Sequence, residues 1–394
     1  MKLNEKRAID LVMQLIAIPG GSGHEADVAA FIREQLLNAG VAESGISFDT
    51  AHRKSPAGGN TGNMYVKLKG SRKGVRRLLM AHMDTVPIAV GCVPVREGEW
   101  IRPKSPATAL GGDNRAGCAV VLVSIIEALE QGLEHPPLTL LFSVQEEIGL
   151  RGVRYMTPAK CGNPGLCFNW DGRIPELLIT GAVGASNLTI TIHGIPSHAG
   201  VHPEQGVNAM VAASTAVADL QSNGWHGLVI KGKKQGTSNF GIVNGGDATN
   251  VVMPRIVIEA EARSHDAAFR DRIVAEFEKA FSRAVRSVRT TEGRTGELVF
   301  EVDQRYQAFH IAESESCVRI AKQAAASLGL TASAQSSNGG LDANWMSEHG
   351  MPTVTMGCGQ HQIHTVSERL NIPEFLMGCR MGLTIATGRE AGTF

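Results

Sequence analysis

Paired cysteines, long apolar stretches, a surplus of one charge and a normal share of aromatics are all missing from this chain. Its seven cysteines (Cys92, Cys118, Cys161, Cys167, Cys317, Cys358 and Cys379) are odd in number and never fall in a CxxC pattern. That argues against a disulfide framework and a thiolate zinc site, and points to reduced, buried thiols in a cytoplasmic protein. Lys plus Arg number 38, and Asp plus Glu also 38. A neutral chain lacks the basic surplus that nucleic-acid binding normally shows. No apolar run nears the ~20 residues that cross a bilayer. Nor does the start read as a secretory leader, because Glu5, Lys6, Arg7 and Asp10 interrupt apolar positions that recur at helical spacing (Ala8, Leu11, Leu15, Ile16). Few aromatics and 45 glycines suit an α/β protein with many tight turns.

At 394 residues the chain exceeds what one hydrophobic core organises, so two domains are expected. Periodicity predicts helices over 4–18 and 25–39, strands near Ile46 and over 64–68, and a buried strand over 77–81 that delivers His82. A turn at Gly111-Gly112 leads to Asp113 and a helix over 118–129. Apolar runs at 138–144, 165–170 and 351–356 read as further strands. The stretch 185–306 has its own order: strand 188–193, helix 203–220, strands 240–243 and 255–262, helix 267–288, strand 298–302. This β-α-β-β-α-β order describes a small ferredoxin-like sheet with two helices on one face. The expectation is an α/β domain made of 1–184 and 307–394, with a lid-like α+β domain, 185–306, inserted.

The chemistry-bearing residues share a layout. The run 78–80 leads to His82 and Asp84; 138–144 leads to Gln145-Glu146-Glu147; 165–170 leads to Asp171-Gly172; 351–356 leads to Gly357-Cys358-Gly359, then His361, His364 and Glu368. In open α/β sheets ligands collect beyond the carboxyl ends of the strands. Each member has an ordinary reading: a satisfied structural histidine, Asp113 as a helix N-cap, a solvated pair of glutamates. Yet adjacent carboxylates at a buried strand end are costly unless something neutralises them, and the layout recurs. Together these residues point to a metal site, with Asp84 placed to take the second ring N–H of a ligating His82. His364 lies more than twice as far from Asp171 as Asp171 lies from His82, which an inserted domain accounts for.

His82-x-Asp84, Gly112-Asp113-Asn114, Glu146-Glu147, Trp170-Asp171-Gly172 and His361-x-x-His364 together resemble the co-catalytic zinc exopeptidases. That family includes peptidase T, carboxypeptidase G, the aminoacylases and succinyl-diaminopimelate desuccinylase. The segments Asn338-Gly339-Gly340-Leu341-Asp342-Ala343-Asn344 and Gly357-Cys358-Gly359-x-x-x-x-His364-Thr365 resemble its peptidase T-like branch. The resemblance runs in order over nearly the whole chain. It implies a mixed, mostly parallel sheet flanked by helices, with an inserted lid domain. It implies two Zn2+, with Co2+ or Mn2+ tolerated by such donors: His82, Asp113 and Asp171 on one, Asp113, Glu147 and His364 on the other. Asp84 would orient His82, and Glu146 would be the general base; that division of the two glutamates follows the family order, not spacing. His364 is taken over its neighbour His361 on the pattern His-Thr-x-x-Glu.

In the inserted domain, Pro196-Ser197-His198-Ala199-Gly200 with Pro203 and Asn208-Ala209 resembles the family's lid motif, whose histidine stabilises the tetrahedral intermediate. His198 fills that place, and His202 in the same loop is the alternative. Asn250 and Arg263 match positions that hold substrate backbone or carboxylate; a turn Asn and a surface Arg are the ordinary readings. Gly339 and Gly340 would let substrate approach the backbone closely, or form a plain turn. The implied activity is a dizinc aminopeptidase releasing the N-terminal residue of short peptides, tripeptides foremost. The alternatives are a related amidohydrolase (N-acyl amino acid deacylase or carboxypeptidase) and a non-catalytic binding protein on the same scaffold. The partners implied are a short peptide and a second copy joined through the lid domain, with no nucleic acid and no membrane.

Overall fold

The computed structural model describes residues 1–389. It divides into two compact units. The first comprises Met1–Gly181, His310–Ser337 and the chain from Leu341 onward; the second comprises Ala182–Phe309 with Asn338–Gly340.

The first unit is a mixed α/β fold. At the centre of its nine-stranded sheet, strands Leu138–Ser143, Arg77–His82, Leu166–Gly172 and Thr353–Gly357 lie side by side and parallel. Met64–Leu68 and Ile46–Phe48 extend one side in antiparallel register, and Leu177–Ala182 continues the other. Every residue of Arg77–His82 and Leu138–Ser143 is buried. This follows from a parallel sheet covered on both faces, where strands read as unbroken apolar runs. Helix Gly112–Glu130 is buried on all sides over most of its length. It packs on the central strands and between helices Glu5–Ala17 and Ile372–Thr387. The flanking helices begin where their sequences direct: the Asn4 side chain accepts from the Arg7 N–H, and Asn371 accepts from the Glu374 N–H one residue after Pro373.

A second, four-stranded sheet in this unit joins Gln360–His361, Arg369–Asn371, Trp100–Pro103 and Pro94–Glu97. The sequence pattern does not announce it, because strands of two to four residues carry no measurable period. All seven cysteines are buried and free. Among the described residues no helix is long and apolar enough to cross a membrane.

The second unit is a five-stranded antiparallel sheet in the order Gly227–Lys231, Lys234–Gly245, Arg255–Ser264, Gly184–His193, Glu297–Tyr306. Helices Ala209–Ser222 and Ala267–Ser287 pack on it and on each other. Ala212, Ala213 and Ala216 allow close approach to Phe269, Phe277 and Phe281 in the shared core. The expected β-α-β-β-α-β order is corrected by one strand: Gly227–Lys231 forms a hairpin with Lys234–Gly245. Its alternation of exposed and buried positions is short and is hidden by flanking glycines. The helix expected from 203 starts later. Pro203–Gln205 is a single 3-10 turn, and Asn208 caps the true start by accepting from the N–H groups of Met210 and Val211.

Candidate active site

Three parallel strands deliver polar groups to one edge of the first unit. His82 ends its strand opposite Ser143, Glu146 and Glu147 follow that neighbouring strand, and Asp171 lies near the end of Leu166–Gly172. Asp113 arrives from the first turn of the buried helix. That turn is broken: Asp113 and Asn114 lie outside helical geometry, and the peptide bond between them is cis. The side chain that serves the helix N–H groups is Asn114. Its Oδ1 accepts from the Gly117 N–H (3.0 Å) and from Gln360 Nε2 (2.9 Å), and its Nδ2 donates to the Trp170 carbonyl (2.7 Å). The N-cap reading of Asp113 is thus replaced by its neighbour, and the Asp113 carboxylate turns to the histidines. Gly117 must be glycine here, since a Cβ would stand 2.1 Å from the Trp170 carbonyl oxygen.

The geometry brings five of the expected ligands together. His82 Nε2 lies 3.2 Å from Asp113 Oδ1 and 3.6 Å from Asp171 Oδ1. His364 Nε2 lies 3.2 Å from Asp113 Oδ2 and 2.9 Å from Glu147 Oε2. His82, Asp113 and Asp171 form one group, and Asp113, Glu147 and His364 a second; the ligand atoms within each lie within 4.8 Å of one another. Asp113 belongs to both. His82 Nδ1 faces the Asp84 carbonyl (3.1 Å) and Asp84 Oδ1 (3.3 Å). A neutral ring held this way keeps its proton on Nδ1 and offers the Nε2 lone pair. Glu146 Oε2 stands 4.0 Å from His82 Nε2 and is in neither group. His361 is drawn off by Glu374, which its Nε2 meets, and by the edge of the Trp100 ring.

Burial and charge set the protonation. Burial alone would lower the His82 pKa, but Asp171, Asp113 and Asp84 carry it well above its usual range. Hydrogen bonds to Asp113 and Glu147 push His364 up to about 10. Burial drives Glu146 well above the ordinary carboxyl range; His82 opposes this, while Asp171, Glu147 and Asp342 add to it. Burial likewise raises Glu147 to about 7 and Asp171 to about 6. Asp84 and Asp113 go the other way despite burial, held down by the histidines. The donor set fits divalent cations. Asp113 Oδ1 faces the His82 ring without the alignment of a hydrogen bond, as expected of two donors aimed at a common ion. Four buried carboxylates around two imidazoles supply the negative charge such ions balance.

The second unit carries the remaining expected residues. The Gly200 N–H donates to His198 Nδ1 (3.2 Å), which leaves the neutral ring's proton on Nε2. His198 pairs with Val251 across a short bridge, and the Ala199 N–H donates to the Asn250 carbonyl (2.9 Å), so these two loops are tied together. His202 is exposed and faces Glu204 (3.3 Å). Arg263 Nη2 is held by Glu261 Oε2 (2.8 Å). Gly340 has a packing reason for being glycine: a Cβ would lie 2.3 Å from the Tyr306 ring.

Sequence reasoning passed over Glu25 and Arg115, and it named Asp342 and Glu368 only within their motifs, without a role for either. Glu368 accepts from the N–H groups of Gly111 and Asp113, each at 2.9 Å, and so holds the Asp113 turn. Asp342 is buried against Ser143, and burial raises it to about 7. The available signals were a lone Glu in the pattern His-Thr-x-x-Glu and an Asp closing a glycine turn.

A model of peptidase family M20/M25/M40 matches residues 78–387. The chain belongs to this family. The chain is 30% identical to the uncharacterized protein YqjE of Bacillus subtilis, over 97% of this chain and 98% of that one. It is 29% identical to carboxypeptidase G2 of a Pseudomonas species, over 88% and 80%. Among solved structures it resembles a tripeptidase of Staphylococcus aureus (27% identity, TM-score 0.88, covering 98% and 99%). It also resembles the aminopeptidase PepT of Bacillus cereus (27%, 0.84, covering 99% and 100%). These matches make it a member of the peptidase T-like branch of the M20 peptidases.

Proposed function

We propose that this protein is a two-zinc exopeptidase that releases the N-terminal residue of short peptides, tripeptides foremost. One observation carries the reading: Asp113 turns one carboxylate oxygen to His82 and the other to His364, joining two ligand groups through one side chain. His82, Asp113 and Asp171 would hold one Zn2+, and Asp113, Glu147 and His364 the other, with Co2+ or Mn2+ accepted by the same donors. When bound, such a pair polarises the scissile carbonyl and brings the pKa of water towards neutrality. Asp84 keeps the His82 ring in its ligating tautomer. Glu146, in neither group, takes the proton of the attacking water and passes it to the leaving amine. His198, with its proton on Nε2, donates to the developing oxyanion. Asn250 and Arg263 are assigned to the peptide backbone and carboxylate, and Gly339-Gly340 to close backbone contact. A homodimer through the second unit is part of the same reading, supported by the exposed Leu228, Ile230, Ile242 and Val243 on the hairpin of Gly227–Lys231 and Lys234–Gly245.

Similarity to a tripeptidase and an aminopeptidase over nearly the whole chain favours the N-terminal reading. The likeness to carboxypeptidase G2 favours a second, in which a C-terminal residue or an acyl group is removed by the same centre. Mass spectrometry of products separates them. The substrates are a free tripeptide, its N-acetylated form and an N-acyl amino acid, offered to the zinc- or cobalt-loaded protein. Release of the first residue from the free tripeptide alone is expected; cleavage of only the blocked substrates overturns the aminopeptidase assignment. Retention of Glu146 argues against a binding protein, and that reading would gain from two bound cations with no turnover. For His198→Ala the expected result is a large fall in kcat with cation content unchanged. Loss of a cation on that change would move His198 from the oxyanion to the metal centre.

A further inference from the structure

Three consecutive backbone N–H groups after strand Leu138–Ser143 are each taken by a carboxylate from elsewhere in the first unit. Gln145 donates to Glu25 Oε1 (3.0 Å), Glu146 to Asp84 Oδ1 (3.0 Å) and Glu147 to Asp84 Oδ2 (3.1 Å). The segment needs such a grip. Gln145 has a φ of 55°, a left-handed conformation that costs a non-glycine residue energy. It is also the residue that turns the chain into the Glu146-Glu147 pair.

Glu25 is fully buried immediately before helix Ala26–Asn38, and its Oε1 also accepts from the Gly23 N–H (2.8 Å). Ser22 Oγ donates to Asp84 Oδ2 (2.6 Å). Residues 20–25 are thereby fastened to the same two carboxylates that hold 145–147. Two buried carboxylates so placed repel each other, and Arg115 offsets this. The residue is 1% exposed, its Nη2 donates to the Gly20 carbonyl (2.9 Å), and burial lowers its pKa while the nearby Cys118, Asp84 and Glu25 favour its charged form. Gly20 makes room for it, since a Cβ would stand 2.5 Å from Nη2. Neither Glu25 nor Arg115 belongs to a ligand group.

We propose that Glu25 and Arg115 are positioning residues which, through Asp84 and the backbone of 145–147, aim Glu146 at the reacting centre and Glu147 at its cation. The proposal rests on the proposed function in two respects, the assignment of Glu146 as base and of Glu147 as a cation ligand. Because one short piece of backbone carries both glutamates, slackening it displaces both at once. A Glu25 that served only to fill the interior would, when replaced, lower stability and leave catalysis and cation geometry alone.

The test compares Glu25→Ala, Glu25→Gln and Glu25→Asp in the full chain loaded with Co2+, by steady-state kinetics and by the visible absorption of the bound cobalt. Gln keeps an acceptor oxygen in place, Ala removes it, and Asp keeps the charge but stops one methylene short. Ala and Asp are expected to lower kcat about 10²-fold, the scale of a ~1 Å misplacement, with KM little changed and the cobalt spectrum altered. Gln is expected to restore the spectrum and to recover kcat to within roughly tenfold. Wild-type kcat and spectrum in Ala and Asp, or a Gln variant as damaged as Ala, overturns the proposal. If Glu25→Ala fails to fold, the better-filling Asp variant decides alone. Arg115→Met should match Glu25→Ala and Arg115→Lys should match Glu25→Gln; wild-type kcat in Arg115→Met removes the arginine from the device. The cobalt spectrum needs no turnover. If Glu146→Gln kept full activity while Glu25→Asp still altered the spectrum, the base assignment would fall and the positioning would stand.

Discussion

Replacing the Glu146 carboxylate with an amide keeps its volume and removes its basicity. Because Glu146 is outside both ligand groups, Glu146→Gln is expected to bind its cations and melt like the parent while kcat falls about 10²–10⁴-fold. Near-parental turnover would take the base role away from it. The two histidines three residues apart give a second comparison. His361 spends its Nε2 on Glu374, whereas His364 faces Asp113 and Glu147. His361→Ala should therefore keep the full cation complement by elemental analysis, and His364→Ala should lose one of the two ions. At this scale the sequence was only partly legible. His82, the glutamate pair and Asp171 stood out because each interrupts an apolar run. Nothing in the spacing of His361 and His364 separates them; the resemblance to His-Thr-x-x-Glu picks out His364, and in the fold Glu374 takes His361 while Asp113 and Glu147 take His364. Glu25 was hidden because an acid just before a helix looks like an ordinary first-turn residue.

The elements explain why the carboxylates hold their places. The broken first turn of Gly112–Glu130 depends on Asn114, which serves the helix, the Trp170 carbonyl and Gln360 at once. Asn114→Ala removes a cap and leaves buried partners unmet, an expected loss of about 2–3 kcal/mol in denaturant unfolding. Since Asp113 precedes Asn114, cation affinity should fall with it. A variant with parental stability and affinity would show that Glu368 alone holds the turn. The long parallel strands and the two helices of the second unit were readable because burial on both faces, or on one stripe, leaves a strong period. The short four-stranded sheet that carries His361 and the Gly227–Lys231 strand were not, since so few residues show no period and pairing across the chain decides their state.

For the whole molecule, the buried carboxyls tie stability to pH. Burial raises Glu25, Asp342 and Glu368 to about 7 and Asp171 to about 6. Unfolded, they titrate near 4. Between about pH 4 and about pH 7 the folded, cation-free protein therefore holds more protons than the unfolded chain, and its stability falls as pH rises. His364 adds stability that is complete below its unfolded pKa and lost as pH passes about 10, discounted because the ring is half exposed. Asp84 and Asp113, held below their usual range, oppose the trend only at the acid end. Protein stripped by a chelator should thus melt lower at about pH 8 than at about pH 5, and added Zn2+ or Co2+ should reverse most of the loss at the higher pH. A melting temperature that climbs across that range without cations would contradict the burial of these acids.

The interior also holds a set of natural reporters. All seven thiols are enclosed, and burial lifts those of Cys92 and Cys317 to about 11 and those of Cys118 and Cys161 to about 12. Only a thiolate attacks an alkylating reagent, so the folded chain should be silent towards one. Labels taken up over time, counted by mass and located by digestion, would then record which parts of the molecule open and how often, with no probe introduced.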